Sequence, residues 1–168
     1  TIELPKLVLT HPSRQKEKKK SVTIFNAHDN IVGNLTNVII IVDDEKMTRN
    51  SNIRIFSEFA ESVNMPLTIL EAEDGLECLY LIFVCMKHGI KISFILSDQT
   101  MNFLNGSSLL DIIRKCIDNS VINKIPFYIL TAYEDENTLV LLRKSSPNEI
   151  FTKPLKKVIA EDLLNKIN

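Results

Sequence analysis

The chain is poor in the residues that build several common kinds of site. Its four glycines form no glycine-rich phosphate loop, which argues against ATP hydrolysis by this segment. The three cysteines, Cys78, Cys85 and Cys116, never stand two to four residues apart. They therefore fit neither a zinc set nor a disulfide framework. Cys78 and Cys85 are seven apart in a helical pattern, which predicts that both face a core as small hydrophobes, in a reducing compartment. Neither sign of charge is in excess: 20 Lys and Arg stand against 21 Asp and Glu, a net charge of −1. A broad nucleic-acid-binding face is excluded on that balance, because its affinity would rest on surplus cations. The one basic cluster, Arg14 to Lys20, is local. The longest apolar run, Leu79 to Met86, is far short of a membrane span, and no signal peptide is evident. A cytoplasmic segment without membrane contact is expected, with membrane anchoring of a parent chain left open.

What is there is a globular composition, 45% hydrophobic and 24% charged, in a chain long enough for one well-buried domain and an appendage. Residues 1–37 read as a linker or the margin of a preceding domain, with Val22 to Phe25 and Ile31-Val32 as a small hairpin. From Val38 to the end, strand and helix patterns alternate. Apolar runs at Val38 to Val42, Leu67 to Ala72, Ile92 to Leu96, Pro126 to Leu130 and Ile150-Phe151 are separated by helical periodicities. Phe56, Phe59, Ala60 and Val63 mark the first helix, and Leu155, Val158, Ile159, Leu163 and Ile167 the last. Unalternating strands of this kind are buried on both faces of a parallel sheet. Five βα units in series predict an α/β, doubly wound five-stranded parallel sheet with helices on both faces.

Four of these runs end in chemistry. The first ends in Asp43-Asp44, the third in Ser97-Asp98, the fourth in Thr131 and the last in Thr152-Lys153-Pro154. Ligands in open parallel sheets bind outside the carboxyl ends of the strands, so three carboxylates, a hydroxyl and an ammonium should converge. Asp43 and Asp44 would serve equally as helix caps, but one aspartate suffices for a cap. Three carboxylates in one crevice repel unless a cation neutralises them, and Mg²⁺ suits a few carboxylates plus phosphate oxygens and water. Asp98 beside such a cation is a candidate nucleophile toward phosphorus. Thr131 alone is an ordinary strand residue and Lys153 alone an ordinary surface lysine. At strand ends they become a phosphoryl-sensing hydroxyl and a charge that neutralises phosphate.

On Ile41-Val42-Asp43-Asp44-Glu45, Ala72-Glu73-Asp74-Gly75, Asp98-Gln99-Thr100-Met101 with Gly106, Ile125-Pro126 through Leu130-Thr131-Ala132, and Phe151-Thr152-Lys153-Pro154, residues 38–168 resemble a receiver domain of two-component response regulators or hybrid histidine kinases. The resemblance implies a flavodoxin-like sheet of order 2-1-3-4-5. It implies Asp98 as phosphoacceptor, Asp44 as direct and Asp43 as water-mediated magnesium partner, and the Thr100 carbonyl as a further ligand. By it, Thr131 is the switch hydroxyl and Lys153 contacts the phosphoryl group, while Thr100 and Tyr133 tune dephosphorylation. The implied donor is a histidine kinase or histidine phosphotransfer domain. None of His11, His28 and His88 lies in a transmitter-helix context, so that donor is another domain or protein.

Three departures from the family pattern stand out. Asn102 replaces the proline after the loop methionine, Ile150 replaces the switch aromatic, and the interval between Asp44 and Asp98 is long, with its surplus between Leu76 and Lys91. The layout favours the C-terminal receiver of a hybrid kinase. Two rivals are a pseudo-receiver that binds without phosphotransfer and an aspartyl-nucleophile phosphatase. Glu45 stands where the phosphatase type needs Asp, and every acidic and lysine position that a pseudo-receiver would lose is present.

Overall fold

The computed structural model describes residues 21–31 and 35–167; the basic cluster Arg14 to Lys20 and Val32 lie outside them. The elements run β1 (Val22–Asn26), β2 (Val38–Val42), α1 (Lys46–Ser62), β3 (Leu67–Ala72), α2 (Gly75–Lys87), β4 (Ile92–Asp98), α3 (Gly106–Asp118), β5 (Phe127–Thr131), α4 (Glu136–Lys144), β6 (Glu149–Thr152) and α5 (Lys157–Asn165). They form one six-stranded sheet of order β1-β3-β2-β4-β5-β6, in which every pairing is parallel.

The five expected strands keep the expected order, and the sheet gains a sixth. Val22–Asn26 makes no hairpin with Ile31. It pairs in parallel along the outer edge of β3, Val22 opposite Leu67 and Asn26 opposite Glu71. The run Val22-Thr23-Ile24-Phe25 has strand propensity, and the turn after it, closed by the Asp29 N–H donating to the Asn26 carbonyl at 3.1 Å, brings no second strand back against it among the described residues. Ala27 and Ile31, just beyond, are buried in the same apolar cluster as α2.

The β2 residues are all buried, as unalternating strands covered on both faces should be. Their side chains alternate between two cores. Val38, Ile40 and Val42 join Leu81, Cys85, Leu109 and Ile113 beneath α2 and α3. Ile39 and Ile41 join Phe56, Ala60 and Leu163 beneath α1 and α5. Cys78 and Cys85 are buried as expected. Two helix-face assignments change: Val63 is the exposed C-cap residue of α1, and Val158 lies outward on α5. Their inward places are filled by Ile53 on α1 and by Ala160 and Leu164 on α5; α1 ends at Ser62, before Val63, and α5 starts at Lys157, after Leu155.

Candidate functional site

Parallel pairing fixes the site. With Val42 opposite Ser97, Asp98 opposite Leu130 and Thr131 opposite Thr152, the residues that follow the strands share one edge. Asp43, Asp44, Asp98, Thr131 and Lys153 are all brought there.

Asp43, Asp44 and Asp98 each present a carboxylate oxygen, and these atoms lie within 4.8 Å of one another. Asp43 and Asp98 are buried and Asp44 is half-buried. Lys153 reaches between two of them, with Nζ donating to Asp43 Oδ2 at 2.8 Å and standing 3.0 Å from Asp98 Oδ2. One ammonium against three carboxylates leaves the crevice negative. Burial pushes the Asp98 carboxyl up and outweighs the lowering effect of Lys153 and of the Thr100 N–H, while Asp43 adds to the rise. Burial pulls Lys153 down, but its hydrogen bonds and charge contacts with Asp43 and Asp98 prevail and hold it above the ordinary lysine value.

The capping alternative fails for Asp43 and Asp44. The N-cap of α1 is Glu45, with no side-chain cap bond, and Asp43 Oδ1 instead accepts from the Glu45 N–H at 2.9 Å. That bond pins the loop and leaves Oδ2 toward Lys153. The donor set fits a hard divalent cation. Magnesium bonds of ~2.1 Å place neighbouring ligand oxygens roughly 3–4 Å apart, so oxygens already within 4.8 Å need only small side-chain rotations to share an ion.

Thr131 is fully buried. Its Oγ1 accepts from the Tyr133 N–H at 3.1 Å, and its carbonyl accepts from the Lys153 N–H at 2.8 Å. The hydroxyl and the lysine are thus held by one backbone link between β5 and β6. The Lys153-Pro154 bond is cis. Thr100 stands beside the site with its N–H toward the Asp98 carboxyl. Ile150 is half-buried and packs into the α2–α3 core. The aromatic beside it, Phe151, faces the opposite core and stacks on Tyr128.

One contributor, Arg49, had not been singled out, and a second, Gly106, had been quoted only as part of a motif. Arg49 on α1 is 4% exposed and donates from Nη1 to the Asp43 carbonyl at 2.6 Å, while pairing with Glu71 and Glu73. Its signal lay in the helical spacing back from Phe56 and Ile53 to Arg49, which puts a guanidinium on the buried face. Gly106 opens α3 against the loop that follows Asp98. A Cβ there would stand 2.4 Å from the Asp98 carbonyl oxygen, so only glycine lets α3 close on β4.

No family model matches the chain. No curated protein matches it in sequence. Solved structures do match. The receiver domain of the Francisella response regulator 1452 is 26% identical, with a TM-score of 0.57 over 79% of this chain and 100% of that one. A two-component response regulator from Cytophaga hutchinsonii is 18% identical, with a TM-score of 0.66 over 80% and 98%. The signal receiver domain of a signal transduction histidine kinase from Syntrophus aciditrophicus is 20% identical, with a TM-score of 0.60 over 79% and 89%. With its β2–β6 order, its strand-end acidic cluster and these likenesses, the chain has the CheY-like fold of response-regulator receiver domains, extended by one N-terminal strand.

Proposed function

We propose that this protein is a phosphorelay receiver in which Asp98 accepts a phosphoryl group from a phosphohistidine. The observation that carries the proposal is the bridging of Asp43 and Asp98 by the Lys153 ammonium at the carboxyl edge of the sheet. An Asp98 carboxylate oxygen attacks phosphorus in line, the P–N bond to the donor imidazole breaks, and an acyl phosphate forms. Asp43, Asp44, Asp98 and the Thr100 carbonyl would hold Mg²⁺, which when bound offsets the charge on the transferred phosphoryl oxygens. Lys153 would neutralise a further oxygen, and positioning with electrostatics does the rest. Thr131 then turns its hydroxyl toward the phosphoryl group, which biases a two-state equilibrium of the surface around α3 and α4. Ile150, packed in the core, takes part in that relay by repacking, with no aromatic rotation.

The donor is a histidine kinase or histidine phosphotransfer domain, and the setting is the cytoplasmic receiver of a hybrid kinase, in keeping with the likeness to a kinase's receiver. The receiver unit is residues 38–168, to which the segment before it lends β1. Among the described residues no helix is long and apolar enough to cross a membrane. The decisive experiment adds acetyl phosphate or beryllofluoride with and without magnesium. A magnesium-dependent spectral change, abolished by Asp98→Ala, is expected. Its absence in the intact protein would leave a binding module that does not accept phosphate.

A further inference from the structure

Helix α2 is apolar on the wrong side as well as the right one. Cys78, Leu81, Ile82 and Cys85 fill the core, yet Leu76 and Tyr80 are each 56% exposed, Phe83 is 43% and Met86 45% exposed. Leu76, Tyr80, Phe83 and Lys87 follow one another at i, i+4, i+7 and i+11, a single outward stripe. No charged residue occurs from Cys78 to Met86. Scattered exposed hydrophobes need no explanation, but a helix apolar all round is one that another surface covers.

Charge at the two ends of the stripe identifies what covers it. Glu73, Asp74 and Glu77 gather at the amino end of α2, and Lys87 and Lys91 at the carboxyl end. Such a distribution also suits the helix dipole. The dipole does not account for the uncharged middle, and the combination is complementary to itself when reversed. Two such helices laid antiparallel about a twofold axis match acid to base at both ends and apolar to apolar between them, the requirement of an isologous contact. At the carboxyl end lies a groove of ≈ 370 Å³ lined by Met86, Ile90, Val121 and Ile125 among others. Reversal places Leu76 of the other copy toward it.

The geometry points to α2 as the interface of a homodimer: two copies of this chain pack their α2 helices antiparallel, Tyr80 of each against Phe83 of the other, with Lys87 facing the acidic amino end. The contact runs ~20 Å along each helix, a short interface that assembles with concentration. The contact itself requires neither phosphate nor magnesium.

Sedimentation velocity of the whole chain over a concentration series, in magnesium-free buffer without phosphoryl donor, tests it. A monomer–dimer equilibrium is expected. Phe83→Glu and Tyr80→Lys, both at exposed positions and both checked for folding by circular dichroism, should each raise the dissociation constant at least about tenfold. Val158→Glu, on the outward face of α5, should leave it unchanged. A monomer at every concentration overturns the proposal, as does a dimer indifferent to both α2 variants or one lost only in Val158→Glu. Dimerisation that appears only after deletion of residues 1–20 also overturns it, because the cover would then be that leading segment.

Discussion

The Arg49 guanidinium donates to the backbone carbonyl of Asp43 across 2.6 Å of buried space, tying the middle of the first helix turn to the tip of the central strand. The same side chain holds Glu71 and Glu73 at the end of β3. Arg49→Met keeps much of the bulk but leaves a buried carbonyl without its donor, and should cost about 2–3 kcal/mol. Urea unfolding followed by circular dichroism reads this directly. A loss near zero would mean that water replaces the guanidinium.

Lys153→Ala removes the ammonium that bridges Asp43 and Asp98. The crevice becomes more negative, so magnesium should bind more tightly, by roughly severalfold. Phosphorylation by acetyl phosphate should instead fall, by about a hundredfold, because a charge that meets the transferred group is gone. Calorimetric titration and a phosphorylation time course separate the two effects, which have opposite signs.

Asp98→Asn in magnesium-free buffer should raise the melting temperature. The folded state raises the pKa of Asp98, chiefly through burial, so it disfavours the charged carboxylate. That penalty is fully present above the folded-state pKa and disappears as pH falls through the unfolded-state value. The gain from Asn should therefore be largest near neutrality and shrink in mild acid, where Asp98 takes up its own proton. Thermal melts at several pH values check the sign.

Tyr133 is 45% exposed and its N–H donates to the Thr131 hydroxyl oxygen, which sets its backbone beside the crevice. As the screen between an acyl phosphate and water, it should slow hydrolysis. Tyr133→Ala should shorten the phosphorylated lifetime by several-fold, measured as phosphate release from the isolated phosphoprotein. An unchanged rate removes that role.

Gly106→Ala forces a methyl group onto the Asp98 carbonyl oxygen, 2.4 Å from the ideal Cβ position. Backbone must move, at about 1–3 kcal/mol, and the shift falls on the loop that carries Asp98 and Thr100. Denaturation and acetyl phosphate kinetics should both register it.

The thiols offer a test of the core. Burial drives the Cys78 thiol well above the usual range and the Cys85 thiol up to about 11, whereas Cys116 is only partly covered. Ellman titration of native protein near neutrality should count one reactive thiol, and three after denaturation.

How much of this was legible in sequence follows from the range of the forces involved. Strand-end placement of Asp43, Asp98, Thr131 and Lys153 could be read because unalternating apolar runs declare buried parallel strands, and parallel strands share a carboxyl edge. Arg49 was overlooked because a charged residue on a helical face defaults to solvent; only the carbonyl and the two glutamates awaiting it, from distant segments, reverse that default. β1 was misjudged for a similar reason. Val22–Phe25 shows the propensity of a strand, but its partner lies 45 positions onward in β3 (Val22 to Leu67), and nothing local distinguishes that edge from a hairpin.

Because β1 lies parallel to β3, it cannot find its place until Leu67–Ala72 has been synthesised. During translation the Val22–Asn26 segment leaves the ribosome first among the described strands and waits for its neighbour, a delay of roughly several seconds at ordinary elongation rates. The β1–β3 edge can therefore close before β4, β5 and β6 have been made, whereas the opposite edge of the sheet waits for Glu149–Thr152.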